Sequence, residues 1–171
     1  MKKLIIFTAL VIIIAGCSDG YDWDEPVIPV TLKGIEAVNI DNSGEFPTIT
    51  NSQIKKEAYM LGVKWIADNT PTDGDKFITG SIREGEQTYN SIASNYSKAI
   101  MCLTPFNSDI PAGTYVSKFF KEIDRNYLPA DVNEGFVLLV APDAGTHSFR
   151  VEYYDGGKLM FSYDTLPIEF F

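Results

Sequence analysis

The sequence predicts an all-β fold, an antiparallel immunoglobulin-like β-sandwich of about seven or eight strands. Several segments alternate apolar and polar residues with a period of two, and glycine- and aspartate-rich turns separate them. The chain contains no long amphipathic helical pattern and no internal repeat. Its 171 residues favour one domain, which we place at residues 30–171. The strand count alone also fits a jelly roll or a small barrel.

The first predicted strand runs from Lys33 to Asp41. Its apolar residues change parity, from Ile35 and Ala37 to Val38 and Ile40. A change of parity favours a β-bulge or a strand that changes partners.

Two further strands are predicted in the central part of the chain. Apolar residues alternate from Tyr59 to Trp65, which indicates a strand with one buried face. The run from Ala99 to Leu103 is apolar on both parities, which is typical of a strand that is buried on both faces. Weaker strands are predicted at Lys76 to Ile82 and at Thr114 to Ser117, whereas the polar segment from Arg83 to Asn95 predicts a loop.

The C-terminal part predicts a three-strand antiparallel meander from Phe136 to Tyr163. Its turn residues Asp155, Gly156 and Gly157 tolerate the positive φ angles that tight hairpins need. Residues 118–127 are ambiguous, because their aromatic and aliphatic residues fall at helical spacing. One short helix near residues 118–127 and an irregular crossover are the two interpretations.

The N-terminal segment predicts an exported protein. Lys2 and Lys3 precede an apolar run from Leu4 to Ala15, and small residues lead directly to Cys17. This pattern indicates a secretory signal peptide at residues 1–16. A transmembrane helix is the first alternative, but it needs about 20 apolar residues, and this run is shorter. A signal peptide without lipidation is the second alternative.

The end of that segment, Ile14-Ala15-Gly16-Cys17, resembles the lipobox of bacterial lipoproteins. The resemblance implies that the signal is cut before Cys17, that its thiol receives a diacylglycerol, and that its new amino group is acylated. Several acyl chains hold a protein on a membrane, whereas one chain binds only marginally. These covalent lipids are the only non-protein groups that we expect, with no separate cofactor.

Residues 17–29 are predicted to form a tether. They contain four acidic residues and no basic residue, and two prolines follow the acidic residues within this segment. The acidic segment from Ser18 to Glu25 resembles the surface-export signal of Bacteroides-type lipoproteins. That resemblance implies display on the cell surface, at the outer membrane. An ordinary solvated linker is the alternative interpretation.

Composition limits the partners. Without Lys2 and Lys3, which leave with the signal, the chain carries 12 basic and 23 acidic residues, a formal charge of −11. Phosphate backbones repel such a chain, so we expect no nucleic acid partner.

The sequence contains no catalytic or metal-binding motif that we recognise, and we expect neither catalytic residues nor a metal site. The single histidine, His147, shares the apolar parity of its strand, which predicts a hydrogen-bonded residue at the edge of the core. Cys102 lies in an apolar run and is predicted to pack as a small hydrophobic residue. The oxygen-rich segment from Asp68 to Asp75 departs from EF-hand spacing and predicts a solvated turn.

Tyrosines are the candidate ligand-binding residues. Tyr153 and Tyr154 are neighbours on a strand, so their rings point to opposite faces, and a buried Tyr153 leaves Tyr154 exposed. Exposed tyrosines offer flat amphipathic surfaces to sugars or proteins. The candidates are Tyr89, Tyr96, Tyr115 and Tyr154.

Residues 54–63 and the strands from Gly135 to Phe171 resemble small uncharacterised lipoproteins of Bacteroides and relatives, which have immunoglobulin-like or transthyretin-like domains. The resemblance implies an envelope module without a known reaction. Three functional hypotheses follow. The first is a non-enzymatic, lipid-anchored module that binds a glycan, a peptide or an envelope partner. The second is a structural subunit that pairs through an exposed strand edge, and the third is a small carboxylate-dependent hydrolase.

Overall fold

The computed structural model describes residues 28–68, 77–83, 86–92 and 96–171, and it describes side chains at 32–67 and 96–171. Within these residues the chain forms thirteen strands and three short 3₁₀ turns. The strands are β1 (Ile28–Asp41), β2 (Thr48–Ile49), β3 (Gln53–Ile54), β4 (Tyr59–Asp68), β5 (Phe77–Arg83), β6 (Glu86–Ile92), β7 (Ser97–Cys102), β8 (Phe120–Ile123), β9 (Glu134–Leu138), β10 (Gly145–His147), β11 (Phe149–Asp155), β12 (Lys158–Asp164) and β13 (Ile168–Phe170). The 3₁₀ turns are Lys56–Ala58, Ser117–Phe119 and Arg125–Tyr127.

Three sheets build the fold. The large sheet has the order β6-β5-β1-β4-β9-β8, and β2 pairs with the end of β1. A second sheet has the order β12-β11-β7, and a third has the order β10-β13-β3. Every pair is antiparallel except β3 with β13, which is parallel. The predicted all-β class is confirmed.

The main core lies between the inner face of the large sheet and the two smaller sheets. The predicted apolar face of β4 is confirmed, because Tyr59, Leu61, Val63 and Trp65 are all buried in this core. β11 contributes Phe149, Val151 and Tyr153 from the opposite side, all fully buried. Burial of such large apolar side chains is the dominant stabilising term in a domain of this size.

A second apolar cluster lies on the outer face of the large sheet. Val38 and Ile40 of β1 and Met60 of β4 are buried there against Val132. The covering segment, residues 124–133, joins β8 to β9 and is called the strap below. β1 therefore carries apolar residues of both parities because both of its faces are covered, while its bulge lies at Leu32/Gly34 instead.

Four sequence predictions are wrong in detail. No strand forms from Thr114 to Ser117, where Tyr115 makes only an isolated bridge with Met101. No short helix forms near residues 118–127, where the strand β8 lies between two 3₁₀ turns. The hairpin of β11 and β12 is confirmed, but β9 does not complete a meander with it. β9 is an inner strand of the large sheet, and it is apolar on both parities because Phe136 packs in the main core while Val137 packs against the outer-face cluster. The loop predicted from Arg83 to Asn95 contains β6.

The predicted signal peptide at residues 1–16, Cys17 and most of the predicted tether lie outside the described residues. β1 begins at Ile28. In the part of the chain that the structure describes, no helix has the length and apolar character needed to cross a membrane.

Candidate functional site

The outer face of the large sheet presents side chains in cross-strand rows. One row contains Met60 of β4, Val137 of β9 and Lys121 of β8, which are direct partners in the ladder. The next row contains Gly62 of β4, Gly135 of β9 and Ile123 of β8. The glycines make this second row a depression in an otherwise apolar surface.

The strap fills that depression. A Cβ atom at Gly62 would lie 3.0 Å from Val132 Cγ1 and 2.6 Å from Ile40 Cδ1. A Cβ atom at Gly135 would overlap the side chain of Leu128. The absence of two side chains therefore lets the strap lie close to the sheet.

Hydrogen bonds fix both ends of the strap. At its start the Asp124 carboxylate accepts a hydrogen bond from the backbone N–H of Asn126 at 2.9 Å. At its end Asn133 donates its backbone N–H to the Val63 carbonyl at 2.9 Å and accepts from the backbone N–H of Trp65 at 2.8 Å. The strap is therefore tied to β4 at one end and capped by its own aspartate at the other.

A groove of about 870 Å³ lies beside the strap. Its floor includes Met60 and Val137, the strap forms one wall, and the turn between β1 and β2 forms the other. We call it the outer-face groove, and its volume lies within the range of ligand sites in proteins. Its lining residues are Asn42, Glu45, Phe46, Pro47, Met60, Lys121, Glu122, Ile123, Asp124, Asn126, Tyr127, Leu128, Pro129 and Val137.

Each wall of the groove carries an exposed aromatic ring. Phe46 on the turn is 72% exposed, and Tyr127 on the strap is 70% exposed. Large aromatic side chains normally bury most of their surface, and those left in water at a cavity often contact a partner. Neither residue is among the candidates that the sequence indicates. A signal for Phe46 is nevertheless present, because an aromatic residue lies within a glycine- and proline-containing turn, Ser43-Gly44-Glu45-Phe46-Pro47.

The groove also carries charged groups on both walls. Glu45 adjoins Phe46 on the turn, and Asp124 begins the strap that presents Tyr127. Neither carboxylate forms an ion pair with a described residue. Lys121 on the floor also forms no ion pair with a described residue. Glu122 instead pairs with Lys98 Nζ at 3.1 Å. Each wall therefore combines one exposed ring with one exposed carboxylate that has no ion-pair partner among the described residues.

A partly buried ionic cluster lies on the other side of β8. Lys98 Nζ lies 2.8 Å from Glu134 Oε1 and 3.1 Å from Glu122 Oε1, and the Tyr153 hydroxyl donates to Glu134. The cluster adjoins a smaller cleft of about 370 Å³ with a floor of Ile100, Phe120 and Phe136. One ammonium thus bridges two carboxylates.

Burial and charge shift the pKa values of this cluster. Burial raises the pKa of Glu134, although the neighbouring ammonium of Lys98 opposes that shift. Burial alone would lower the pKa of Lys98, but the carboxylate of Glu134 outweighs it and raises that pKa. Burial and the same carboxylate raise the pKa of Tyr153 well above its ordinary value. The arrangement therefore holds a compact ion pair inside an otherwise apolar core.

The structure brings together two of the four candidate tyrosines. Tyr115 and Tyr154 lie on the outer face of the β12-β11-β7 sheet, with their hydroxyl oxygens 3.2 Å apart. Both hydroxyls donate to Glu152 Oε2, at 2.9 and 2.5 Å respectively. The hydrogen bond with Glu152 raises the pKa of Tyr154. These bonds fix both rings around a buried carboxylate.

The other two candidates lie elsewhere. Tyr96 packs at the edge of the core against Tyr153 and Phe161, with ring centroids 6.1 Å apart in both pairs. Tyr89 lies on β6, whose side chains are outside the described part of the chain. Tyr96 therefore does not share a surface with Tyr115 and Tyr154.

Cys102 and His147 have the packing roles that the sequence predicts. Cys102 is fully buried, and its thiol donates weakly to the Thr114 carbonyl at 3.3 Å. The ring of His147 is buried against Phe170, and its Nε2 lies 2.8 Å from the Asp143 carbonyl oxygen. Among the described residues, no group of three or more His, Cys, Asp or Glu side chains is placed to hold a metal ion.

The architecture is that of an all-β sandwich with a covered outer face. Residues 32–138 match the family model of a domain of unknown function, DUF5034. The match covers more than half of the chain, and the chain therefore belongs to this family. No curated protein and no solved structure matches the sequence. Every residue that lines the outer-face groove falls within the matched segment.

Proposed function

We propose that this chain is a lipid-anchored, non-enzymatic binding protein of the cell envelope. In this proposal Cys17 carries the diacylglycerol and N-acyl chains, and the domain is displayed at the outer membrane, on the cell surface. The outer-face groove holds an extended segment of a partner polypeptide. The observation that carries the proposal is the pair of exposed rings, Phe46 and Tyr127, on opposite walls of an apolar floor.

The chemistry of the floor favours a polypeptide over a glycan. Val137, Ile123 and Leu128 leave aliphatic surface partly exposed along the groove, and sugar hydroxyls placed against it would lose hydrogen bonds to water without replacement. An extended peptide directs alternate side chains to one side, so it buries apolar groups while its backbone faces the rim. Aromatic side chains at the centre of such contacts commonly dominate the binding energy.

The lipid anchor is tested by mass spectrometry of the processed protein purified from membranes. The proposal expects an N-terminal peptide that begins at Cys17 and carries the masses of diacylglycerol and one fatty acyl chain. An unmodified thiol at Cys17, or an intact leader, would contradict it.

The groove is tested by substitution of its exposed rings. Phe46→Ala and Tyr127→Ala should each lower the affinity for the partner by about tenfold or more, because truncated hot-spot residues cost at least 1–2 kcal/mol. Phe171→Ala is the matched control, since that ring is 54% exposed and lies outside the groove. Equal affinities in all three variants would rule out binding in the groove.

A second candidate function is a structural subunit that pairs through a strand edge. The observation that favours it is β12, an outer strand of its sheet that leaves Leu159, Met160 and Tyr163 at least 40% exposed. An exposed edge strand with apolar side chains can accept another strand. Ser162→Pro should abolish such assembly if it uses this edge, as measured by light scattering of the detergent-solubilised protein, and an unchanged assembly would exclude it.

A further inference from the structure

We infer that the outer-face groove binds a cationic side chain, a lysine or arginine of the partner segment. This inference rests on the proposed function of the groove and adds the chemical class of its ligand. It depends on the way in which each wall combines an exposed aromatic ring with an exposed carboxylate outside any ion pair.

The two walls are chemically alike, although they come from distant parts of the chain. On the turn Glu45 precedes Phe46, and on the strap Asp124 lies three residues before Tyr127. A cation near an aromatic face gains about 0.5–2 kcal/mol, and more when it is withdrawn from water. A carboxylate beside the ring adds direct charge attraction. A positive group held between the two walls is therefore attracted from both sides of the groove.

The floor of the groove fits the rest of a long cationic side chain. Lysine and arginine carry three or four methylenes, which pack on apolar surface while the charged end stays near water. Val137 and Ile123 supply that surface, and both rings lie on the walls beside it. A ligand with a carboxylate would instead meet Glu45 and Asp124, which repel it.

Lys121 is the one cationic residue among those that line the groove, and its charge should affect the affinity for a cationic ligand. It ends the row of Met60 and Val137 at β8, the edge strand of the large sheet. Its charge opposes a cationic ligand, whereas Glu45 and Asp124 attract it. Lys121→Ala should therefore strengthen the binding of an arginine peptide.

The experiment uses three fluorescein-labelled peptides that differ only at two central positions, which hold arginine, norleucine or glutamate. Their affinities are measured by fluorescence anisotropy with the processed protein, purified from membranes in detergent. The arginine peptide should bind about tenfold more tightly than the norleucine peptide, and the glutamate peptide most weakly. Raising the salt concentration should weaken only the arginine peptide.

Charge-removing variants locate the effect. Glu45→Gln and Asp124→Asn should each weaken the arginine peptide by about threefold and leave the norleucine peptide unchanged. Asp124→Asn keeps an oxygen that can accept from the Asn126 N–H, so the strap remains capped. Glu57→Gln removes an exposed carboxylate outside the groove and is the control.

The outcomes separate this inference from the proposed function. If the norleucine peptide binds as tightly as the arginine peptide, and Phe46→Ala weakens both, the groove binds polypeptide but the cationic class is wrong. If the glutamate peptide binds more tightly than the arginine peptide, the cationic class is likewise wrong. If Phe46→Ala changes the affinity of no peptide, the proposed function fails as well.

Discussion

Gly62 of β4 and Gly135 of β9 are direct partners in the antiparallel ladder of the large sheet. Side chains of the strap occupy the space above both glycines, where Val132 and Leu128 meet them. The pair of glycines thus determines how close the strap lies to the sheet. Because the strap forms one wall of the outer-face groove, the pair also determines the shape of the groove.

The first prediction concerns an added methyl group at these two glycines. Gly62→Ala and Gly135→Ala should each lower the free energy of unfolding by about 1–3 kcal/mol, the usual cost of overpacking. Gly34→Ala is the control, since its Cβ would meet Ile66 at an ordinary distance of 3.6 Å. Urea unfolding measures the three values, and equal stability of all variants would show that the strap does not pack as described.

The second prediction is a specific coupling between Gly135 and Leu128. Leu128→Ala removes the side chain that an alanine at position 135 would overlap. The double variant should therefore lose less stability than the sum of the two single variants, by about 1 kcal/mol. Strict additivity in this double-mutant cycle would mean that the two residues do not share the same space.

The sequence predicted the sheets better than it predicted the groove. Alternation from Tyr59 to Trp65 determined the face that β4 buries, because one parity is uniformly apolar. The strap could not be predicted, because its position depends on Gly62, which is distant in the sequence, and on the strand pairing that brings Gly62 beside Gly135. Short-range spacing does not encode such contacts.

The same limit explains the errors near residues 118–127 and 136–140. Aromatic spacing in Lys118 to Tyr127 favours a helix, but Phe120 packs inward and Ile123 outward from a strand. The sequence favours pairing of the strand at Phe136 with the strands that follow it in the chain, whereas Phe136 pairs with Leu61 in the large sheet. The tyrosines that the sequence indicates do not line the outer-face groove, and Phe46 and Tyr127 are not among them.

The third prediction concerns the buried ion pair of Lys98 and Glu134. Lys98→Met leaves Glu134 buried without its cation, which should lower the free energy of unfolding by about 3–5 kcal/mol at pH 8. Lys64→Met is the control, because its partner Asp131 is 62% exposed, and it should cost less than about 1 kcal/mol.

The loss in Lys98→Met should depend on pH. Burial raises the pKa of Glu134, so the native protein binds that proton more tightly than the unfolded chain, whose ordinary value is 4.5. Stability of the variant should therefore fall as pH rises from about 4.5 through the native pKa, by at most 1.4 kcal/mol per pH unit. A loss that is the same at pH 5 and pH 8 would contradict this assignment.

The fourth prediction concerns alkaline pH. Tyr59 is fully buried, its hydroxyl donates to Asn39 Oδ1 at 2.9 Å, and burial raises its pKa far above 10.0. The native state therefore keeps the proton of Tyr59 where the unfolded chain loses it. Stability should fall as pH rises above about 10, since the unfolded state then binds fewer protons.

Substitutions isolate the contribution of this tyrosine. Tyr59→Phe should reduce the decline in unfolding free energy between pH 9 and pH 11, while it lowers stability at neutral pH through the lost hydrogen bond. Tyr127→Phe, at an exposed position, should leave the decline unchanged. An equal effect of both substitutions would argue against a role for burial.

The central claim is that the outer-face groove holds a segment of a partner polypeptide, and photo-cross-linking tests it most directly. Benzoylphenylalanine replaces Tyr127 in cells that process and acylate the protein, and the cross-linked partner peptide is sequenced by mass spectrometry. We expect one defined segment that contains lysine or arginine, lost when Phe46→Ala is added and absent when the probe replaces Phe171. No defined segment, or the same product from position 171, would contradict the account.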